Sequence, residues 1–270
     1  VDKLTGASSE TLLKLSDLTN QQEAFLKALA LIDPDKPIKN SVVREVAEHA
    51  YGVNINQKRI VDDILEPLQS EGFINYEKTT EVSGKSHVVS FTDKFESEVL
   101  LPLLKDVGER SGIPRRVLRS SFSDLRKQME SDDTHVKGLA LETLAVKLGR
   151  ILGLEFAGWH VRGRHTGGSE VDVVMDSVGT SFERWQIQCK NIGKKLRTGH
   201  VKEEVGVSRL VQSNVVLMVA REGIADDAKR FANRVMHRDN LTILFVEIDK
   251  LGQLEHKPNE LIQYIREQGR

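Results

Sequence analysis

The feature that most constrains the fold is a change of texture at Ser131-Asp132-Asp133-Thr134. Beyond it, apolar stretches of strand length alternate with segments of helical period. A sheet with helices packed on it buries both kinds of face. Residues 135–152 have helical spacing, with Leu139, Leu141, Leu144, Val146 and Leu148 apolar, and Gly153 ends the run. Strand-like runs follow at 156–161, 171–175 and 182–189. A helix over 201–210 then leads to an apolar strand over 214–220, and a helix over 226–236 leads to another over 241–247. A last helix ends near Arg266. An early hairpin followed by this alternation predicts an α/β domain over 134–270, an α/β/α sandwich with a mixed sheet.

The upstream half reads differently. Residues 1–18 are polar and read as an N-terminal tail. Ala24, Phe25, Leu29, Leu31 and Ile32 have helical spacing that stops at Asp33-Pro34. Asn40-Ser41 can cap a second helix carrying Val42, Val43, Val46 and Ala47. A third starts at Asn56, turns Ile60, Val61, Ile64, Leu65 and Leu68 inward, and is closed by Gly72. Strand-like stretches at 73–79 and 87–91 flank a turn with Ser83-Gly84-Lys85. This order resembles a winged helix-turn-helix over 19–96, with the run from Leu65 to Ile74 similar to the end of a recognition helix entering its wing. The resemblance implies a third helix in the DNA major groove, with Asn54, Asn56, Gln57, Lys58 and Arg59 exposed and Lys85 on the wing. Asp62, Asp63 and Glu66 on the same helix repel phosphate, and winged helices also serve as protein-binding modules. Residues 97–133 read as a helical connector, with Val99, Leu100, Leu103 and Leu104 inward and a break at Gly112-Ile113-Pro114.

Composition excludes several classes. An apolar fraction of 39% over 270 residues is too high for a disordered chain. No run of about 18 apolar residues exists, and residues 1–10 lack the layout of a secretory signal. A cytoplasmic protein with no membrane partner is expected. The single cysteine, Cys189, excludes an intramolecular disulfide and a Cys-rich zinc module. A net charge of −1 does not by itself point to a polyanion, so the distribution matters more. Between Trp185 and Lys202 stand Lys190, Lys194, Lys195, Arg197 and Lys202 with no acid among them. Arg115, Arg116, Arg119, Arg126 and Lys127 form a second basic cluster, interrupted by Asp124.

Within this frame, Gly167-Gly168-Ser169-Glu170-Val171-Asp172 leads into one strand and Gln186-Ile187-Gln188-Cys189-Lys190 ends another. Alternation puts Gln188 and Lys190 on one face and Ile187 and Cys189 on the other. Paired as a hairpin, the two strands can bring Asp172, Gln188 and Lys190 to one end of the sheet. A carboxylate, a side-chain oxygen and a backbone carbonyl are hard ligands suited to Mg²⁺, and a nearby lysine supplies positive charge.

These residues resemble the PD-(D/E)XK nuclease superfamily, specifically the Mrr-like restriction endonuclease catalytic domain, over about 135–250. The resemblance rests on Glu142 in a first helix, the Gly167-Gly168 turn before Asp172, and Gln188-Cys189-Lys190. The strand Val215-Val216-Leu217-Met218-Val219, the helix with Ala225, Ala228 and Ala232, and the strand from Leu244 to Asp249 continue it. It implies Asp172 as principal metal ligand with the Cys189 carbonyl, Gln188 where most members have Glu or Asp, and Glu142 holding metal-bound water or a second ion. Lys190 would assist the attacking water and stabilise the transition state. The implied cofactor is Mg²⁺, with Mn²⁺ able to substitute, and the implied substrate is double-stranded DNA cut by a homodimer. Arg162, Arg164 and His165 before the turn, and Lys194, Lys195 and Arg197 after the second strand, would touch DNA.

The turn departs from the usual Asp-Gly-Gly-(Ile/Val)-Asp run, and Glu170 can supply the missing charge. A neutral Gln188 predicts weaker metal binding than a Glu would give. Cys189 reads as core, not nucleophile, since no His-Asp pair accompanies it. His160 and His165 lack a ligand spacing, and Trp185 reads as core. A magnesium-dependent endodeoxyribonuclease of restriction type is the leading expectation. The alternatives are a DNA-binding regulator with an inactive nuclease fold and a nuclease of DNA repair.

Overall fold

A computed structural model describes residues 9–32, 37–79, 87–113, 115–161, 170–177, 183–251 and 258–269. Lys85, Arg162, Arg164 and His165, and the Gly167-Gly168 turn, lie outside the described residues. The chain divides into two compact units, Val1–Ser121 and Phe122–Arg270, with the division inside the stretch read as a connector.

The N-terminal unit runs α1 (Ser9–Ser16), α2 (Asn20–Ile32), β1 (Ile38–Lys39) and α3 (Asn40–Tyr51). A π-helical turn (Val61–Leu65) enters α4 (Glu66–Ser70), and β2 (Ile74–Lys78) and β3 (His87–Phe91) follow. Next come α5 (Asp93–Phe95), a second π-helical turn (Glu96–Leu100), α6 (Leu101–Ser111) and α7 (Arg115–Leu118). The three strands are antiparallel in the order β1-β3-β2. Phe25, Leu29, Val43, Val46, Ile64, Leu65, Leu68, Ile74 and Val89 fill the core, so the three helices turn their expected apolar stripes inward. Leu31 and Val61 are only half-buried. Helix α1, in the stretch read as a tail, is tied down by the Thr11 hydroxyl donating to Glu98 at 2.6 Å and by Lys14 pairing with Glu71 at 3.3 Å.

Both π turns precede a proline, Pro67 and Pro102. A proline has no N–H and its ring crowds the carbonyl four residues back, and widening the preceding turn relieves that crowding. Glu66 N–H accordingly donates to Val61 O and Leu101 N–H to Glu96 O. The Asp63 carbonyl, deprived of the proline donor, accepts instead from the buried Gln22 side chain at 2.9 Å.

In the C-terminal unit α8 (Phe122–Gln128) precedes α9 (Thr134–Ile151), whose first N–H groups are capped by Asp133. Strands β4 (Leu154–Val161), β5 (Val171–Ser177) and β6 (Arg184–Lys190) form an antiparallel meander. Helix α10 (Thr198–Val211) leads to β7 (Val215–Ala220), and α11 (Asp226–Met236) leads to β8 (Thr242–Glu247). Both of these strands run parallel to β6. Helices α12 (Ile248–Leu251) and α13 (Pro258–Gln268) end the described chain.

The mixed five-stranded sheet has the order β4-β5-β6-β7-β8 and carries helices on both faces, as the alternating pattern requires. On one face Val216, Met218, Ile243 and Phe245 pack against Val201 of α10 and Ala228, Ala232 and Val235 of α11. Ile187, Leu217 and Leu244 are neighbours across β6, β7 and β8 and share the other face. There Ile187 meets α9 and Leu244 meets Gly269, next to α13. Gly149 is what lets α9 approach: a Cβ there would collide with Met175 Sδ. Along the edge strand β8, Gln268 accepts from the Phe245 N–H and donates to its carbonyl, both at 2.9 Å, occupying groups a further strand would take. Among the described residues no helix is long and apolar enough to cross a membrane.

Candidate active site

Strands β5 and β6 pair from Asp176 opposite Arg184 to Val173 opposite Ile187, where their ladder ends. Asp172 and Gln188 to Lys190 lie beyond the last pair, while β6 goes on pairing with β7 as far as Lys190 opposite Ala220. At this open end the Cys189 N–H donates to Asp172 Oδ2 at 2.7 Å. The carboxylate therefore takes a donor that the β5 ladder leaves unpaired. Burial raises the Asp172 carboxyl above its ordinary value, against the pull of this hydrogen bond and of the Lys190 charge.

Helix α9 delivers Glu142, whose side chain is 14% exposed, to the same place. His160 Nε2 of β4 lies 2.7 Å from Glu142 Oε2, and its Nδ1 lies 3.5 Å from Glu170 Oε1. Burial pushes the Glu142 carboxyl up to about 7, and the Asp172 charge adds to the shift while His160 opposes it. One imidazole thus sits between two carboxyls, with a third nearby. Its residue pays a conformational cost, since His160 has φ 45°, in the left-handed region that side chains disfavour. Neither His160 nor its role as a bridge was legible from ligand spacing.

Lys190 projects to α10, where its Nζ lies 3.0 Å from Glu204 Oε1. Glu204 is 2% exposed and accepts from Gln186 Nε2 at 2.7 Å on its other oxygen. Sequence reasoning missed Glu204. The available signal was an acid on the inward stripe of α10, between Val201 and Val207. Cys189 is half-buried, not in the core as expected, with its thiol pushed well up by burial and 3.8 Å from the Leu141 carbonyl.

Gln188 is buried, and its Oε1 has no hydrogen-bond partner. Such an orphaned acceptor costs about 1–3 kcal/mol, and a hard cation is one way to satisfy it. Among the described residues no three His, Cys, Asp or Glu side chains form a ligand cluster by themselves. A cation here would need the amide oxygen or a backbone carbonyl beside Asp172 and Glu142, and that donor chemistry fits Mg²⁺.

The candidate polyanion contacts separate by their partners. Lys194, Lys195 and Arg197 are exposed on the segment after β6, which is pinned where Leu196 bridges to Ile224. In the N-terminal unit Asn56, Gln57, Lys58 and Arg59 are exposed at the turn before Val61. Asn56 Oδ1 accepts from the Lys58 N–H at 3.0 Å, and the Arg59 guanidinium pairs with Asp63 at 2.7 Å. The second basic cluster is partly neutralised, with Arg119 on Glu96 at 3.1 Å and Lys127 on Asp124 at 3.4 Å.

The C-terminal unit thus holds an acid-bearing helix, an Asp beside a Gln-Cys-Lys strand end and a mixed sheet. Residues 135–254 match the Mrr_cat family model, restriction endonuclease. The restriction endonuclease match takes in Glu142, His160, Asp172, Gln188, Lys190 and Glu204, and it supports a nuclease domain of PD-(D/E)XK type. It spans less than half of the chain and includes none of the N-terminal unit. Neither a curated protein nor a solved structure matches the chain.

Proposed function

We propose that the chain is a metal-dependent DNA endonuclease of restriction type, cutting with its C-terminal unit. The observation that carries the reading is the meeting of Asp172 and the Cys189 N–H at the open end of the β5–β6 pair, within electrostatic reach of Glu142 and Lys190. Asp172 and Glu142 would hold Mg²⁺, with Mn²⁺ as a substitute, helped by the Gln188 amide oxygen and the Cys189 carbonyl. The chemistry supplied with the ion bound is polarisation of the scissile phosphate and a lowered pKa for the attacking water. On this reading the Cys189 N–H fixes one Asp172 oxygen and so orients the carboxylate. Lys190 places a positive charge beside the phosphate, stabilising charge that develops as the bond to the leaving oxygen breaks. Lys194, Lys195 and Arg197 follow the backbone of double-stranded DNA through phosphate contacts.

The N-terminal unit is proposed to be a winged helix that holds DNA. Its support is the helix order and the sheet order β1-β3-β2, with Asn56, Gln57 and Lys58 exposed ahead of the third helix. Cutting both strands takes two such centres, so two copies of the chain are expected on one site.

A second reading, a DNA-binding regulator on an inactive nuclease fold, draws on the engagement of Lys190 by Glu204. Incubation of plasmid DNA, methylated and unmethylated, with the protein and Mg²⁺ separates the two. Cleavage abolished by Asp172→Ala and by Lys190→Ala is expected. DNA binding without cleavage of either substrate would replace the nuclease reading with the regulator.

A further inference from the structure

Glu204 is a buried acid with both oxygens assigned: Oε1 to Lys190 Nζ at 3.0 Å and Oε2 to Gln186 Nε2 at 2.7 Å. Gln186 is itself 0% exposed, and its Oε1 accepts from the Ser213 hydroxyl at 3.3 Å. The chain Ser213, Gln186, Glu204, Lys190 therefore runs through the interior from the start of β7 to the end of β6. It fixes the rotation of the Glu204 carboxylate, and the carboxylate fixes the ammonium. A lysine on a four-carbon stem has no preferred position of its own. Asp172 is a competing attraction, since its carboxyl already feels the Lys190 charge.

We propose that Glu204 is a positioning residue for the cleavage reaction, holding the Lys190 ammonium on the α10 side so that Asp172 stays open to the metal. The inference rests on the nuclease reading above and names a residue that reading does not require. Glu204 touches neither DNA nor metal in this scheme and acts through Lys190. Without it, Lys190 turns to Asp172, and one residue takes from the site both its cation and its principal ligand.

The test compares the native chain with Glu204→Gln, which keeps the shape and removes the charge. Glu204→Asp, which restores the charge, and Gln186→Met, which removes the anchor on Oε2 together with the Ser213 contact and leaves Glu204 in place, complete the set. Single-turnover cleavage of plasmid DNA at saturating Mg²⁺ is expected to slow on the order of 10- to 100-fold in Glu204→Gln. Glu204→Asp should recover part of the rate, and DNA affinity should be unchanged. Mg²⁺ calorimetry gives a readout independent of turnover and is expected to show weaker binding in Glu204→Gln. If that variant fails to fold, Gln186→Met reads the same displacement with a smaller loss in the same direction. Native cleavage and Mg²⁺ binding that Glu204→Gln and Gln186→Met leave unchanged would overturn the inference and leave the nuclease reading standing. No cleavage by the native chain would overturn both.

Discussion

His160 and Glu142 share one short hydrogen bond, 2.7 Å from Nε2 to Oε2, although they come from different elements of the C-terminal unit, β4 and α9. The ring joins a half-buried carboxyl on the helix to the sheet, and its other nitrogen faces Glu170. The imidazole thereby bridges two acidic side chains, Glu142 and Glu170.

The Glu142 carboxyl, moved from 4.5 to about 7 by burial, makes stability depend on pH. Between those values the folded chain keeps a proton that the unfolded chain has lost, so this contribution is complete below the lower value and fades as pH rises through about 7. Thermal melting is expected to fall from pH 5 to pH 8, and Glu142→Gln, which cannot lose a proton, should flatten the slope. Identical slopes in the two proteins would separate Glu142 from the effect.

Replacing Gln188 by Glu tests the donor set directly. A carboxylate in place of the orphaned amide oxygen should tighten Mg²⁺ binding by on the order of tenfold or more, since ligand charge sets affinity for hard cations. The metal-free protein should lose stability, because the new charge is buried near Asp172. Calorimetry and melting with and without Mg²⁺ read the two effects, which have opposite signs.

Asp63 restrains Arg59 at 2.7 Å and adds a negative charge to the surface proposed to meet DNA. Asp63→Asn should raise the affinity of the N-terminal unit for duplex DNA several-fold at low salt and steepen its salt dependence by about one phosphate contact. The backbone carbonyl that Gln22 holds is untouched by the change. Anisotropy titrations at two salt concentrations would show it, and an unchanged affinity would remove Arg59 from the interface.

Gly149→Ala improves helix propensity by about 1 kcal/mol, yet it should destabilise the C-terminal unit by about 1–3 kcal/mol. The added methyl has to displace Met175 from between α9 and the sheet. Urea unfolding decides the sign, and a more stable variant would mean that the thioether moves aside freely.

Much of this frame was legible because apolar periodicity and burial are the same physics. The expected helix at 135–152 is Thr134–Ile151, and the strand expected at 182–189 is Arg184–Lys190. Strand β4 starts two residues before the expected 156, because Gly153, at φ 83°, reverses the chain so tightly that Leu154 is already paired. What sequence does not carry is direction across a gap. The apolar spacing of α10 marks Glu204 as an inward acid, but only the docking of α10 on the sheet aims it at Lys190. His160 has no ligand spacing because one partner, Glu142, lies on α9 and the other, Glu170, just ahead of β5. The π turns at Val61 and Glu96 follow from prolines placed several residues later, an effect that a propensity summed residue by residue does not contain.

Strand β6 is the middle strand of its sheet, antiparallel to β5 on one side and parallel to β7 on the other. Its amides can exchange with solvent only when flanking strands and covering helices open together. Slow deuterium uptake across Trp185 to Cys189 would mark the segment that bears Gln188 as part of the last cooperative block to come apart. The chemistry would then be mounted on the least yielding part of the molecule, and substrate fit would be left to the segments that border it.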